Sequence, residues 1–276
     1  MKNALALGTF DGIHIAHREV LNLPKDCKKI AVTFEKPPKM FLNGNYELIM
    51  SFEDKCQAIK SLGYDEIVAL DFFKIKDTEP EDFLSFLYEN YNPTVISCGF
   101  NYRFGKGGKG DVILLKKFCQ EKGIELNICK QVSLEEQVIS SSFVRDLLKS
   151  GEIEKANSLL LKPFCFSAEV IKGDSRGRTI GFPTINQKYP QELVKIKFGV
   201  YKTKVLFDGK EYDGITNIGI RPTFESNYVI SETYIKDFSG DLYGKTVKVV
   251  PYKFLREEKK FSCLLDLKNQ IEKDIT

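Results

Sequence analysis

Both histidines of this 276-residue chain, His14 and His17, lie in one ten-residue stretch, Gly8–His17 (GTFDGIHIAH). Near neutral pH a histidine can act as a general base, a metal ligand or a cation that binds phosphate. A spacing of three residues places both rings on one face of a helix. The pair alone therefore allows three interpretations, which are core packing, a metal site and a phosphate clamp. A structural zinc site needs two more Cys or His ligands nearby, and none follow the pair closely.

A glycine-rich turn before the pair favours the phosphate interpretation. Asn3 to Leu7 is a short apolar run, Gly8 to Gly12 forms a turn, and a helix is predicted from His17 onward. A strand, a glycine turn and a helix start form a common phosphate site in α/β sheets, because free backbone N–H groups and the helix dipole favour anions.

The elements that must position these residues differ between the two halves of the chain. In the first half, predicted strands (Lys29–Phe34, Glu66–Leu70, Thr94–Cys98, Glu125–Cys129) alternate with predicted helices (Phe52–Leu62, Pro80–Asn90, Val112–Lys122, Ser142–Ser150). This alternation predicts a parallel sheet with ligands at the carboxyl ends of its strands. In the second half, short β-rich segments predict an antiparallel barrel or sandwich (Phe166–Ile171, Gly199–Phe207, Tyr212–Ile218, Val229–Lys236, Thr246–Phe254). A final helix is predicted over Leu264–Asp274, and we expect two domains, 1–160 and 161–276.

Composition narrows the functional class. The 41 basic and 38 acidic residues leave a net charge of +3, a near balance that argues against a dedicated nucleic-acid-binding protein. No apolar run approaches the ~20 residues that span a bilayer. The seven cysteines form no CxxC pair, so free thiols are expected rather than disulfides or zinc ligands. We expect a cytoplasmic protein without a targeting segment, whose partners are small molecules rather than nucleic acid or membrane. The oligomeric state is not predicted.

The histidine stretch resembles GxFDGxHxGH, the signature of the nucleotidyltransferase superfamily, in particular of the adenylyltransferase half of bacterial bifunctional riboflavin kinase/FAD synthetase. Segments similar to other parts of that family follow in order: TFEKPP at 33–38, GFNYRFG at 99–105 with Gly110-Asp111, and SSSFVR at 140–145. The chain departs from the family pattern at Ala16, Asn101 and Ser142, where glycine, aspartate and threonine are usual.

The resemblance implies a Rossmann-like α/β domain that transfers an adenylyl group from ATP to FMN, giving FAD and pyrophosphate. It implies catalysis by His14 and His17 and FMN binding by Asn101 and Arg103. It further implies ATP or phosphate binding by Gly8, Phe10, Asp11, Ser140, Ser141, Ser142 and Arg145.

The residue types suit this chemistry. The FMN phosphate can attack the α-phosphorus of ATP directly, so the protein must orient phosphates and neutralise developing charge. Ser140 to Ser142 precede a predicted helix, where hydroxyl and N–H groups point at an anion, and Arg145 adds a planar cation one turn later. Taken alone, this segment is also an ordinary helix cap with a surface arginine. The glycine-rich stretch 105–110 lacks phosphate-loop spacing and is interpreted as a flexible surface loop.

The second half carries its own motif, Gly173–Asn186 (GDSRGRTIGFPTIN). Alone, it could wrap phosphate with backbone amides or form a cluster of turns with solvated arginines. It resembles the GxxRGRxLGFPTAN signature of riboflavin kinases, with Ile185 in place of alanine. Where the two halves of the chain join, Leu161–Phe164 (LKPF) stands in place of the family's usual GRP followed by an aromatic residue. The resemblance implies an antiparallel β-barrel ending in a helix, in which ATP phosphorylates riboflavin to FMN.

The same resemblance assigns roles in this half. Glu232 is the expected catalytic base, since a primary alcohol is a poor nucleophile until a carboxylate takes its proton. Mg²⁺ is expected on Thr184 and Asn186, whose oxygens are suitable hard ligands. The flavin is expected beside Arg256 and Glu258. Residues implied in binding ATP or its phosphates are Gly173, Arg178, Gly181, Pro183, Thr184 and Asn186.

Three alternatives stay open at this point. The chain could be a riboflavin kinase alone, with a degenerate transferase domain. The histidine motif also resembles that of class I aminoacyl-tRNA synthetases, although no KMSKS-like segment is present. A flavin-binding regulator would need an added nucleic-acid-binding domain.

Overall fold

The computed structural model of the protein describes residues 2–42, 44–173, 181–222, 227–259, 261 and 264–275. The chain forms two compact units: Met1–Tyr46 with Ser51–Phe143, and Glu47–Met50 with Val144–Thr276. The division falls inside one helix, Ser141–Ser150.

The first unit is built on a five-stranded parallel sheet. Its strands are β1 (Lys2–Leu7), β2 (Cys27–Phe34), β3 (Glu66–Leu70), β4 (Pro93–Gly99) and β5 (Glu125–Cys129). They lie in the order β3-β2-β1-β4-β5, so β1 is central. Ala4 to Leu7 are at most 1% exposed, as expected for a central strand covered on both faces. The order reverses at β1 and β4, where open α/β sheets bind ligands.

Helices follow the strands of this sheet. They are α1 (Ile15–Val20), α2 (Pro38–Leu42), α3 (Phe52–Ser61), α4 (Phe72–Ile75), α5 (Pro80–Tyr91), α6 (Val112–Lys122) and α7 (Ser141–Ser150). Caps explain several bounds: the Ser51 side chain accepts from the Asp54 N–H, and Asp111 accepts from the N–H groups of Ile113 and Leu114. A short hairpin, β6 (Ser133–Leu134) and β7 (Gln137–Val138), precedes α7.

The second unit is a closed six-stranded barrel. Its strands are β8 (Phe166–Ile171), β9 (Thr184–Lys188), β10 (Gly199–Phe207), β11 (Lys210–Pro222), β12 (Asn227–Ile235) and β13 (Thr246–Arg256). All neighbours are antiparallel, in the order β10-β11-β12-β9-β8-β13. Helix α8 (Ile153–Leu159) packs on β13, where the Asn157 amide donates to the Pro251 carbonyl, and α9 (Leu264–Ile275) follows the barrel.

A polar ladder crosses the buried face of the barrel wall. The hydroxyls of Thr203, Thr216 and Thr233 on three neighbouring strands are linked by two hydrogen bonds of 2.9 Å, and all three residues are fully buried. Because side chains alternate along a strand, Asn217 and Glu232, each next to a ladder threonine, lie on the outer face.

The predicted fold class is confirmed in both halves, as a parallel α/β sheet and an antiparallel barrel followed by a helix. Sequence patterns missed β9, because its polar residues interrupt the expected alternation. The first helix begins at Ile15, two residues before the predicted start.

Six cysteines in the described ranges form no disulfide bond: Cys27, Cys56, Cys98, Cys119, Cys129 and Cys165. Among the residues that the structure describes, no helix is long and apolar enough to cross a membrane.

Candidate functional site

The loop after β1 has a strained backbone. Phe10 and Ile13 adopt positive φ angles of 49° and 38°, which non-glycine residues rarely adopt, and both are fully buried. Gly12 has φ 85°. A Cβ at Gly8 would lie 2.7 Å from the Phe10 ring, so glycine is needed there. Strain of this kind persists where surrounding contacts hold it and is common at functional sites.

The two histidines form one stacked unit at the end of this loop. Their ring centroids are 3.8 Å apart with planes 16° from parallel, and Phe10 packs edge-on against His17 at 5.5 Å. Burial, followed by the nearby His14 and Lys55, lowers the pKa of His17 well below its usual value. Nδ1 of His17 is shielded from solvent and has no hydrogen-bond partner among the described residues. The pair can therefore present an imidazole to an anion but resists carrying a proton without one.

Asp11 connects this loop to two other segments. The Tyr46 hydroxyl donates to the Asp11 carboxylate at 3.1 Å, and the Ser141 hydroxyl donates to the Asp11 carbonyl at 2.9 Å. Asp11 is only 2% exposed. Two of the predicted phosphate-binding segments, 8–17 and 140–145, are therefore in direct contact.

The serine cluster caps α7. Ser140 accepts from the Phe143 N–H at 3.2 Å, which is the expected N-cap bond, and the helix begins at Ser141. Ser142 is exposed. Arg145 is buried in the second unit, where its Nε donates to the Glu47 carbonyl at 2.7 Å. Its part in ATP binding stays a prediction.

The predicted FMN-binding residues lie after β4. Asn101 and Arg103 are both exposed, and the Arg103 guanidinium lies 3.7 Å from the Asp111 carboxylate. The glycine-rich stretch beyond them is anchored: Phe104 and Gly110 form a β-bridge, and the Lys106 N–H donates to the Thr78 carbonyl at 2.7 Å.

An aromatic cluster lies where β2 and β3 lead into helices. Phe41 of α2 stacks on Phe72 of α4 at 5.4 Å and meets Phe73 at 4.7 Å. Phe41 and Phe73 are 40% and 60% exposed, which is unusual for phenylalanine. This cluster was not anticipated from the sequence, where each phenylalanine is typical of an ordinary core residue.

A buried lysine also belongs to this part of the first unit. The Lys55 side chain on α3 is 3% exposed, and its Nζ donates to the Thr9 carbonyl at 3.2 Å. Burial lowers the pKa of Lys55 to about 8, against the opposing effect of Asp11. The sequence contains one signal for it: Lys55 occupies a position of the buried helix stripe that also contains Ala58 and Ile59.

In the second unit, three polar residues form a row across the outer face of the barrel. Asn186 on β9 is in register with Glu232 on β12, and Glu232 is in register with Asn217 on β11. Directly paired residues on adjacent strands share a face and lie close together. Glu232 therefore lies between two amides, a setting in which its carboxylate can accept hydrogen bonds. Asn217 is part of this row and was not among the predicted site residues.

Asn186 has a side-chain oxygen that is shielded from solvent. It is 5% exposed, and its Oδ1 has no hydrogen-bond partner among the described residues. A Cβ at Gly173 would lie 2.4 Å from the Asn186 amide, so glycine leaves room for that amide. Thr184 lies two residues before Asn186 on β9, which places both on the same face of the strand. A shielded amide oxygen beside a hydroxyl suits a hard cation such as Mg²⁺.

The remaining predicted residues of this half lie around the row. Gly181 has φ 85°, and the exposed Pro183 directly precedes β9. Arg178 lies outside the described residues. The Glu258 carboxylate accepts from the Asn217 amide at 2.9 Å.

Arg256 is held by the C-terminal helix. Its guanidinium makes a paired contact with Asp274 of α9, with Nη2 2.7 Å from the carboxylate, and lies 5.8 Å from the Phe261 ring. The ion pair is largely buried, and it connects α9 to the end of β13. Its predicted part in flavin binding is not tested by these contacts.

A cavity of about 150 Å³ continues along the same outer face. Ile215 and Tyr234, which line it, are paired in register and lie two residues beyond Asn217 and Glu232 on their strands. The rest of the lining is mixed, with the charged residues Lys202, Asp213 and Lys236 beside Gly214, Tyr252 and Ile275.

Comparison with known proteins identifies both halves. A family model described as FAD synthetase matches residues 1–143, and one described as riboflavin kinase matches residues 160–276. A bifunctional riboflavin kinase/FMN adenylyltransferase of Bacillus subtilis is 33% identical over 99% of this chain and 90% of its own length. The chain belongs to the bifunctional riboflavin kinase/FMN adenylyltransferase family.

Further relatives agree over nearly the whole chain. A bifunctional riboflavin kinase/FMN adenylyltransferase of Escherichia coli K12 is 33% identical over 98% of this chain and 90% of its own length. A crystal structure named as a macrolide-efflux protein from Streptococcus pneumoniae superposes with a TM-score of 0.90 and 28% identity, covering 99% of this chain and 92% of that chain. That name concerns the other protein, and the likeness supports the fold.

Proposed function

We propose that this chain makes FMN and FAD, phosphorylating riboflavin with ATP in the barrel unit and adenylylating FMN with ATP in the sheet unit. The observation that carries the proposal is that each unit brings its own motif residues together. Ser141 bonds to Asp11 in the first unit, and Asn186 pairs with Glu232 in the second. Family membership supports both activities rather than the kinase alone.

In the kinase step, Glu232 would act as the general base. Its carboxylate would take the proton of the primary hydroxyl of riboflavin as that oxygen attacks the γ-phosphorus of ATP, with ADP leaving. Asn217 and Asn186 on either side of Glu232 would orient the hydroxyl and the phosphate. The flavin ring would occupy the cavity lined by Tyr234 and Ile215.

Asn186 and Thr184 would hold Mg²⁺ with the ATP phosphates. The ion, when bound, neutralises phosphate charge and leaves most of its coordination to water and phosphate oxygens. Asn186 supplies a shielded amide oxygen with no competing partner among the described residues, which is what a ligand position requires. Gly173 allows the Asn186 amide to occupy this position, because a side chain at residue 173 would displace it.

In the transferase step, the FMN phosphate would attack the α-phosphorus of a second ATP, and pyrophosphate would leave. The stacked His14 and His17 would stabilise the negative charge that develops on the phosphates. Ser140, Ser141 and Ser142 would bind phosphate from the start of α7, near Gly8, Phe10 and Asp11. Arg145 would add a cation to the triphosphate.

The flavin of the transferase step would be bound after β4 and beside the aromatic cluster. Asn101 and Arg103 are the proposed FMN-binding residues, and their exposure leaves them accessible to a ligand. Phe41 and Phe73 offer an exposed aromatic surface, which suits stacking of an isoalloxazine ring.

We further propose that the functional domains divide as 1–160 and 161–276, with small molecules as substrates and the cytoplasm as the location.

The test of the main proposal is direct. Purified protein supplied with riboflavin, ATP and Mg²⁺ should form FMN and then FAD, resolved by chromatography with fluorescence detection.

A second assay separates the bifunctional enzyme from a kinase with a degenerate transferase. Protein supplied with FMN and ATP should release FAD and pyrophosphate. If FMN forms from riboflavin in the first assay and FAD forms in neither assay, the chain is only a kinase. Absence of both products in folded protein would refute the proposal.

A further inference from the structure

Lys55 joins the ends of two strands in the first unit. From α3, its Nζ lies 3.2 Å from the Thr9 carbonyl, 3.4 Å from the Thr33 hydroxyl and 2.5 Å from the Phe34 carbonyl. Thr9 follows β1, whereas Thr33 and Phe34 end β2. The Thr33 hydroxyl also donates to the Thr9 carbonyl at 3.0 Å. One ammonium group therefore ties the start of the histidine loop to the neighbouring strand.

These acceptors are neutral oxygens, so the contact is strong only while Lys55 is protonated. A neutral amine is a weaker donor and has one N–H fewer for three acceptors. Burial lowers the pKa of Lys55 to about 8, although Asp11, Cys56 and Glu35 act in the opposite direction. The contact between Lys55 and its acceptors is therefore expected to weaken as the pH rises through about 8, which is close to the pH at which many enzymes work.

The histidine pair lies directly downstream of this contact. Thr9 precedes Phe10, whose strained backbone places its ring edge-on against His17. The groups that face Lys55 are Asp11 from the loop after β1, Glu35 after β2, His17 from α1 and Cys56 from α3. Burial raises the pKa of the Cys56 thiol, and that of His17 is lowered, so neither of these two titrates near 8.

We propose that Lys55 is a positioning residue of the adenylyl-transfer site, whose ammonium holds the Thr9–Phe10 backbone so that His14 and His17 face the phosphates. The inference rests on the proposed FMN adenylylation. Loss of the ammonium would release the loop, and a displacement near 1 Å at reacting groups costs about 10²-fold in rate.

The first test is the pH profile of FAD formation from FMN and MgATP between pH 6.5 and 9.5. In the unaltered protein, kcat/KM should fall as pH rises through about 8. Lys55→Arg, which stays charged beyond that range, should keep activity and remove this alkaline limb. Lys55→Met should lose about 10²-fold at pH 7. Lys60→Met, an exposed lysine on the same helix, is the matched control and should leave the profile unchanged.

Riboflavin phosphorylation by the same samples reports whether each variant is folded. A second measurement covers the case in which arginine does not fit the site. Because the chain has two histidines, their imidazole NMR signals can be followed directly, and Lys55→Met should shift both and raise the pKa of His17.

Specific outcomes overturn the proposal. Lys55→Met with unaltered FAD formation would do so, as would an alkaline limb that persists in Lys55→Arg, or histidine signals that do not respond to Lys55→Met. Failure of the unaltered protein to form any FAD would instead refute the proposed function itself.

Discussion

Gly173→Ala should separate the two activities of this chain. Gly173 lies where a Cβ would be 2.4 Å from the Asn186 amide, whereas ordinary contact begins at 3.4 Å. Asn186 must therefore withdraw by about 1 Å or turn away. Because the contacted atoms end a side chain, the barrel can accommodate the change by moving Asn186 alone.

The expected loss follows from that displacement. A misplacement of about 1 Å in a group that positions substrate costs about 10²-fold in rate, equivalent to about 2.7 kcal/mol of barrier. Stability should change little. Replacing glycine with alanine removes about 0.4–1 kcal/mol of unfolded-state entropy, which offsets part of the steric cost.

The assay is riboflavin phosphorylation at saturating MgATP, with FMN adenylylation by the same sample as internal control. Gly44→Ala is the matched glycine control, because a Cβ there meets nothing within 4 Å. If Gly173→Ala acts through Asn186, then adding it to Asn186→Ala should cause no further loss. A folded Gly173→Ala protein with kinase activity within about twofold of the unaltered protein would refute the reasoning.

Of three further predictions, two use the same pair of activity assays and the third measures the free energy of unfolding. Glu232→Gln keeps the shape of the side chain but removes the base, so FMN formation should fall about 10²–10⁴-fold while adenylylation of supplied FMN persists; loss of both would contradict the two-site assignment. His17→Ala should reduce FAD formation at least about 10²-fold and spare FMN formation, and the reverse pattern would exclude the histidine clamp. Thr216→Val leaves the buried hydroxyls of Thr203 and Thr233 without their shared partner, so the free energy of unfolding should fall by about 1–3 kcal/mol. Urea titration measures it, and an unchanged midpoint would show that the ladder contributes nothing.

Much of the fold could be predicted because local patterns and tertiary packing agree. The apolar strands of the first half, the helices α3 and α6, and the alternating β10 follow from short-range periodicity. β9 was missed because Thr184, Asn186 and Gln187 are polar and break the alternation that predicts a strand. The strand is fixed instead by its pairing with β12 and β8.

Candidate site residues could be named from the sequence where they belong to a contiguous motif. His14 and His17 are three positions apart in the chain, and the helix start explains their proximity. The row Asn186–Glu232–Asn217 is different, because barrel pairing brings together positions that the chain separates by up to 46 residues. Spacing alone contains no information about strand register.

The amino-acid sequence by itself determined the two-part architecture and placed the histidine and glycine motifs within it, since both depend on neighbours in the chain. Only the tertiary structure decided which ordinary residues join those motifs. The helix stripe with Ala58 and Ile59 puts Lys55 on a buried face, but only the fold sets its ammonium against the Thr9 and Phe34 carbonyls. Arg256 is likewise a lone charged residue in the sequence, and only the fold pairs it with Asp274 of α9. Burial and charge pairing are set by contacts distant along the chain, and those contacts exist only in the folded protein.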